Sequence, residues 1–168
     1  MKKTIIKIIL KVTFVTNILF LLNCKAQTAT DYINHYNDVV PKLNGIIPNK
    51  IQFYNQNFSS LQNEMLNKNV QPNGWIYDTK ISSSNKYYVL KLFFVDMAML
   101  RVSSKNSFQY PLVIITFENE IPFPQVQSLM EQYHAVWDPN VAQFFSNMKI
   151  EKIEFTGVKG YDSEDYSE

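Results

Sequence analysis

Glu131, His134 and Asp138 are the residues of this chain whose types and spacing come nearest to a chemical site. On a helix, steps of three and four place them on one stripe. Two carboxylates and an imidazole there would share a metal ion or relay a proton. Asp31, His35 and Asp38 repeat the arrangement near the N-terminus. His35 is the only other histidine, so a zinc centre built on Glu131, His134 and Asp138 would draw its outside ligand from there. That constellation describes a small metal-assisted hydrolase. Against it, Val126, Leu129, Met130, Tyr133 and Trp137 form the apolar stripe of the same segment. The three candidates, with Gln127, then fall on the opposite, solvated face. Lys42 on the side of His35 gives the first helix the same look, so the hydrolase stands as the alternative reading.

Asp96 lies inside "LFFVDMAML", where an ionised carboxylate is costly unless paired or hydrogen-bonded. It reads either as a buried acid lining a pocket, or as a strand end or bulge facing water or Arg101. The second is the simpler. Trp75, Tyr77 and Trp137 would make an aromatic platform for a sugar or lipid, but strand and helix periodicity assigns them to the core. The chain has no Gly-x-Ser-x-Gly elbow, no His-Glu-x-x-His and no paired cysteines, and its four glycines leave little for a phosphate cradle. No cofactor is expected.

The elements that would position these residues follow from periodicity. Thr28 to Leu43 predicts a helix with Tyr32, Tyr36, Val39, Val40 and Leu43 on one face, opened by Thr28 and Asp31 as a capping box. After Gly45 and Pro48, the residues Ile51, Tyr54, Phe58, Leu61 and Met65 recur at threes and fours, predicting a second helix and hence a helical hairpin. "QPNGW" changes the period to two. Strands are expected over Trp75–Ile81, over Tyr87–Val95, and from Pro111 through "PLVIITFE". "MAMLRVS" after Asp96 reads as a continuation of the second strand or a short new one. Pro122 and Pro124 open a helix running toward Trp137, and "KIEKIEFTGV" from Lys149 is a last strand. The fold class is therefore α+β: a helical hairpin, then an antiparallel sheet of four or five strands with one further helix, in two layers.

Residues 1–23 read as an export signal. Lys2, Lys3, Lys7 and Lys11 precede an apolar run from Val12 to Leu22. Leu21-Leu22-Asn23-Cys24 resembles the lipobox of bacterial lipoprotein signal peptides, and "CKAQ" resembles exported proteins of the Bacteroidetes. The resemblance implies that Cys24, the only cysteine, becomes the lipidated first residue of the mature chain. It covers about the first 27 residues and not the domain. Asn23 departs from the Gly, Ala or Ser usual before that cysteine. Two alternatives stay open: cleavage after Ala26, which releases a soluble periplasmic or secreted protein, and an uncleaved anchor. Each places the domain outside the cytoplasm.

Without the four signal lysines, 12 basic residues face 15 acidic ones, a net charge of −3. The segment 159–168, expected as an acidic flexible tail, carries all of that excess. A balanced body over residues 24–158 excludes nucleic acid as a partner on charge grounds. The expectation is a non-enzymatic binding or interaction module of the cell envelope, tethered to the membrane by lipid at Cys24. An envelope or secreted protein would be its partner, and inhibitors or immunity-type proteins fall within that class.

Overall fold

The helical start is the one the composition dictates. In the computed structural model, which describes residues 27–167, α1 spans Ala29–Asn44. Thr28 caps it reciprocally: its hydroxyl accepts from the Asp31 amide at 3.2 Å, and the Asp31 carboxylate accepts from the Thr28 amide at 2.9 Å. Tyr32, Tyr36, Val39, Val40 and Leu43 are buried, as the spacing predicts.

The second expected helix is broken in two. Ile47–Phe53 is a 3-10 helix, and α2 begins only at Phe58, running to Asn67. Between them Asn55 takes a left-handed φ of 60°. The backbone there is engaged elsewhere: the Asn55 amide donates to Ile150 O at 2.8 Å, the Phe58 amide to Met148 O at 2.8 Å, and the Ile150 amide to Gln56 O at 2.9 Å. Peptide groups committed to a strand partner cannot also close helical turns. Phe58, Leu61 and Met65 are buried, whereas Ile51, from the same apolar seam, is 71% exposed. The helical hairpin is thus corrected. α1 packs on α3 (Met97–Asn106), and α2 packs on α5 (Pro139–Phe145).

β1 (Gly74–Thr79), β2 (Tyr87–Phe93), β3 (Leu112–Phe117) and β4 (Ile150–Thr156) form one antiparallel sheet in sequence order. Register puts Trp75, Leu92, Val113 and Phe155 in one transverse row, with Tyr77, Leu90, Ile115 and Ile153 in the next row of that face. This face meets the helices in a single core. On the opposite face Ile76, Lys91, Ile114 and Glu154 share a row. Ion pairs Asp78–Lys91 and Lys80–Glu151, with Lys152–Glu154 along β4, are in keeping with a solvated side. The α+β class and the two-layer antiparallel sheet stand as expected.

"MAMLRVS" is a helix and not a strand. The chain leaves β2 extended, and Asp96 caps α3 by accepting the Met99 amide at 2.7 Å. Met, Ala, Leu and Arg after an acid cap are good helix formers, a signal that the aromatic run before Asp96 outweighed. The helix begun by Pro122 and Pro124, α4, covers Phe123–Tyr133 and ends short of Trp137. α5 then starts at Pro139 under an Asp138 cap, Oδ1 accepting the Asn140 amide at 2.8 Å.

The acidic C-terminal segment bonds to the body as far as Asp165. The Gln109 amide donates to Tyr161 O at 2.7 Å, and the Gln109 side-chain amide donates to Ser163 O and to Asp165 O. Tyr36 donates its hydroxyl to Gly157 O at 2.8 Å and accepts from the Gly160 amide at 3.0 Å. Tyr161 stands edge-on to Tyr36 and Phe108. Beneath them Tyr32 donates to Gln109 O.

Burial pushes the Tyr32 phenol well above its ordinary 10.0, and the neighbouring Tyr36 and Tyr110 add to the rise. Burial likewise raises Tyr36, partly offset by the Gly160 amide. Above pH 10 or so the unfolded chain gives up phenolic protons that the folded chain keeps. Stability is therefore undiminished below that pH and falls as pH rises through the folded values. Urea denaturation between pH 9 and 12 checks this, and Tyr32→Phe/Tyr36→Phe should flatten the alkaline fall. An unchanged slope in the double variant would refute the assignment.

Candidate functional site

The end of α4 has no glycine to turn it. His134 and Ala135 both take left-handed φ values, 50° and 62°. Such conformations cost on the order of 1 kcal/mol or more each for residues with a Cβ. Hydrogen bonds to β1 offset that cost. The Trp75 amide donates to Ala135 O at 2.9 Å, its indole Nε1 to Val136 O at 3.1 Å, and the Trp137 amide to Asn73 O at 3.1 Å. Gly74 pairs with Val136 across an isolated bridge. A Cβ on Gly74 would sit 3.1 Å from Ala135 O, so the close approach suits glycine. The 134–137 loop thereby covers the outer edge of β1 at its start.

This loop, the adjoining ends of β1 and β2, and the first turns of α3 enclose a cavity of about 490 Å³. Its interior is apolar: Trp75 and Val95 are buried, and Phe93 and Leu100 are partly so. Ile76, Met97 and Val136 line it while also exposing apolar surface, Met97 at 67% and Val136 at 58%. The volume falls within the range of small-ligand sites. Polar character comes from Asn73, Asp96 and His134. One Asp96 oxygen caps α3, and the other accepts from the Gln27 side chain at 3.2 Å. Among the described residues no Ser, Thr, Cys, Lys or Arg lines the cavity. Its chemistry is that of apolar binding with one imidazole and one carboxylate at hand. A second cavity of about 290 Å³, touching Met65, Val70, Trp137 and Ala142, lies between α2 and α5.

The residues expected to do chemistry are dispersed. His134 lines the large cavity, but Glu131 is an exposed residue of α4 accepting from Gln127 Nε2 at 3.0 Å. Asp138 caps α5. His35 shares a 2.7 Å hydrogen bond with Phe94 O. The stripe joining Glu131, His134 and Asp138 required one continuous helix, and α4 stops at Tyr133. Among the described residues no group of three or more His, Cys, Asp or Glu could hold a metal ion. Asp96 is a half-exposed cap and not a buried acid, though it does line the cavity. Trp75 and Trp137 belong to the core, Trp137 standing edge-on to Phe58. Cys24 and the rest of the signal segment lie outside the described residues.

Compared with protein-family models, curated proteins and solved structures, the chain matches none of them. The reading of its function therefore rests on the cavity.

Three of the lining residues, Asp96, His134 and Trp75, stand out in the sequence for reasons other than this cavity. Leu100, Met97 and Val136 do not. The sequence pattern puts Leu100 and Met97 on a strand, and Val136 within a helix that does not reach it. "NGW" was the one local signal, since Asn73-Gly74 marks the close approach that shapes one wall.

Proposed function

We propose that this chain is an exported, lipid-anchored binding module of the cell envelope, non-enzymatic, whose domain takes an apolar ligand in the cavity between β1, α3 and the 134–137 loop. The cavity carries the reading: a lining of Trp75, Phe93, Val95 and Leu100 suits apolar matter. The lipobox-like Leu21-Leu22-Asn23-Cys24 supports the anchor. Among the described residues no helix is long and apolar enough to cross a membrane.

Metabolic labelling with an alkyne fatty acid tests the anchor. The wild-type chain should take up label and Cys24→Ala should lose it entirely. A mature chain beginning at Gln27, as cleavage after Ala26 would leave, carries no label and ends the lipid-anchored reading.

A further inference from the structure

Three chain steps separate Cys24 from Gln27, where the described structure begins. Fully extended, they span no more than about 11 Å. Gln27 is not loose: its Oε1 is buried, and its Nε2 donates to Asp96, itself a lining residue of the 490 Å³ cavity. An anchor at Cys24 would therefore hold this end of the domain, and no other, against the membrane surface. Ile76, Met97 and Val136, which expose apolar surface where they line the cavity, lie at that end. A wet periplasmic setting gives an apolar rim of this kind no partner, whereas a bilayer gives it one.

We propose that the cavity opens onto the membrane that holds Cys24 and takes an acyl chain of a bilayer lipid, entering past Met97 and Val136 toward Trp75. This rests on the lipid-anchored reading and names the ligand class of the same site. An aliphatic chain suits an interior of Trp75, Phe93, Val95 and Leu100, which has no hydrogen-bonding side chain except the indole already donating to Val136 O. His134 and Asp96 would lie on the headgroup side, where polar groups keep their hydration.

Trp75 reports on entry. The full chain with Trp137→Phe, carrying its native N-terminus, is reconstituted in phosphatidylethanolamine–phosphatidylglycerol vesicles whose acyl chains are either plain or brominated. Trp75 emission should be quenched in the brominated vesicles. Met97→Glu places an acid in the first turn of α3, where the helix dipole tolerates it, and should weaken quenching by about tenfold, the equivalent of losing one buried apolar side chain. Equal emission in the two vesicle types overturns the proposal. So does quenching of soluble Cys24→Ala by dibromostearate when the acylated protein stays bright in brominated vesicles, because the protein's own acyl group then fills the cavity. Mass measurement of the N-terminus separates the two readings. If Cys24 is bare or removed, the anchor reading fails. The same vesicles with soluble protein then decide the cavity, quenching upholding a bilayer acyl chain as ligand and constant emission overturning it.

Discussion

Gly157→Ala is expected to lower the unfolding free energy by on the order of 4 kcal/mol, enough to leave most small domains largely unfolded or poorly expressed. Gly157 follows directly on β4 with φ +67°, a conformation that disfavours any Cβ. The added Cβ would lie 2.1 Å from Tyr110 O and 2.8 Å from Tyr110 C. Both atoms are backbone, so no rotamer change relieves the overlap. Tyr110 leads into β3, and Leu112 pairs with Thr156, the residue before Gly157. Relief must come from shifting one strand against the other. Gly157 O also accepts the Tyr36 hydroxyl, so the shift loosens the C-terminal segment too. Gly45→Ala is the control. Gly45 is helical at φ −70°, and its Cβ would meet Lys42 O at 3.3 Å, so the change should stay within about 0.5 kcal/mol. Urea denaturation of both variants checks the contrast, and equal midpoints would show that the backbone at Gly157, just after β4, is not packed on Tyr110 as described.

Trp75→Ala should cost about 3–5 kcal/mol, the range for removing a large buried aromatic side chain. Trp75 is wholly buried, with ring centroids 5.6 Å from Phe145 and 6.4 Å from Tyr77. Its indole is one of the ties holding the 134–137 loop to β1. Truncation empties core volume and also leaves Val136 O without that donor. Trp75→Phe separates the two effects. It keeps a ring in the core, so it loses the hydrogen bond, at about 1 kcal/mol, and only part of the packed volume. Thermal unfolding measures the stability difference, and amide exchange at Val136 and Trp137 should quicken in both variants. A Trp75→Ala protein as stable as wild type would mean that the loop and core do not depend on this residue.

Where period and cap were both local, the chain was readable. Thr28 with Asp31, the buried face of α1, and the alternation of β3 over Leu112–Phe117 all appear as spaced. Each is decided by neighbours within four residues. The errors share a cause of another kind. The apolar seam from Ile51 to Met65 is helical in spacing, yet Asn55, Gln56 and Phe58 give their backbone groups to residues 148–150, ninety or more positions away. Likewise α4 stops at Tyr133 because Ala135 and Val136 bond to Trp75. The pairing of Glu131, His134 and Asp138 depended on that helix continuing, and it dissolved with it. The charge of the acidic segment says nothing of Tyr161 packing on Tyr36 and Phe108.

By itself the sequence determined the α+β class, the apolar faces of its elements, the absence of a familiar catalytic motif, and the resemblance at Cys24 on which the tether rests. Those properties live in composition and in periods of two and 3.6, which need no knowledge of distant partners. The tertiary structure decided where helices stop, and with that which side chains meet. It scattered the supposed metal ligands and gathered Trp75, Leu100, Met97 and Val136 around an apolar cavity. The reason is physical: a backbone N–H has one hydrogen to donate, and when an acceptor far along the chain takes it, the local pattern loses.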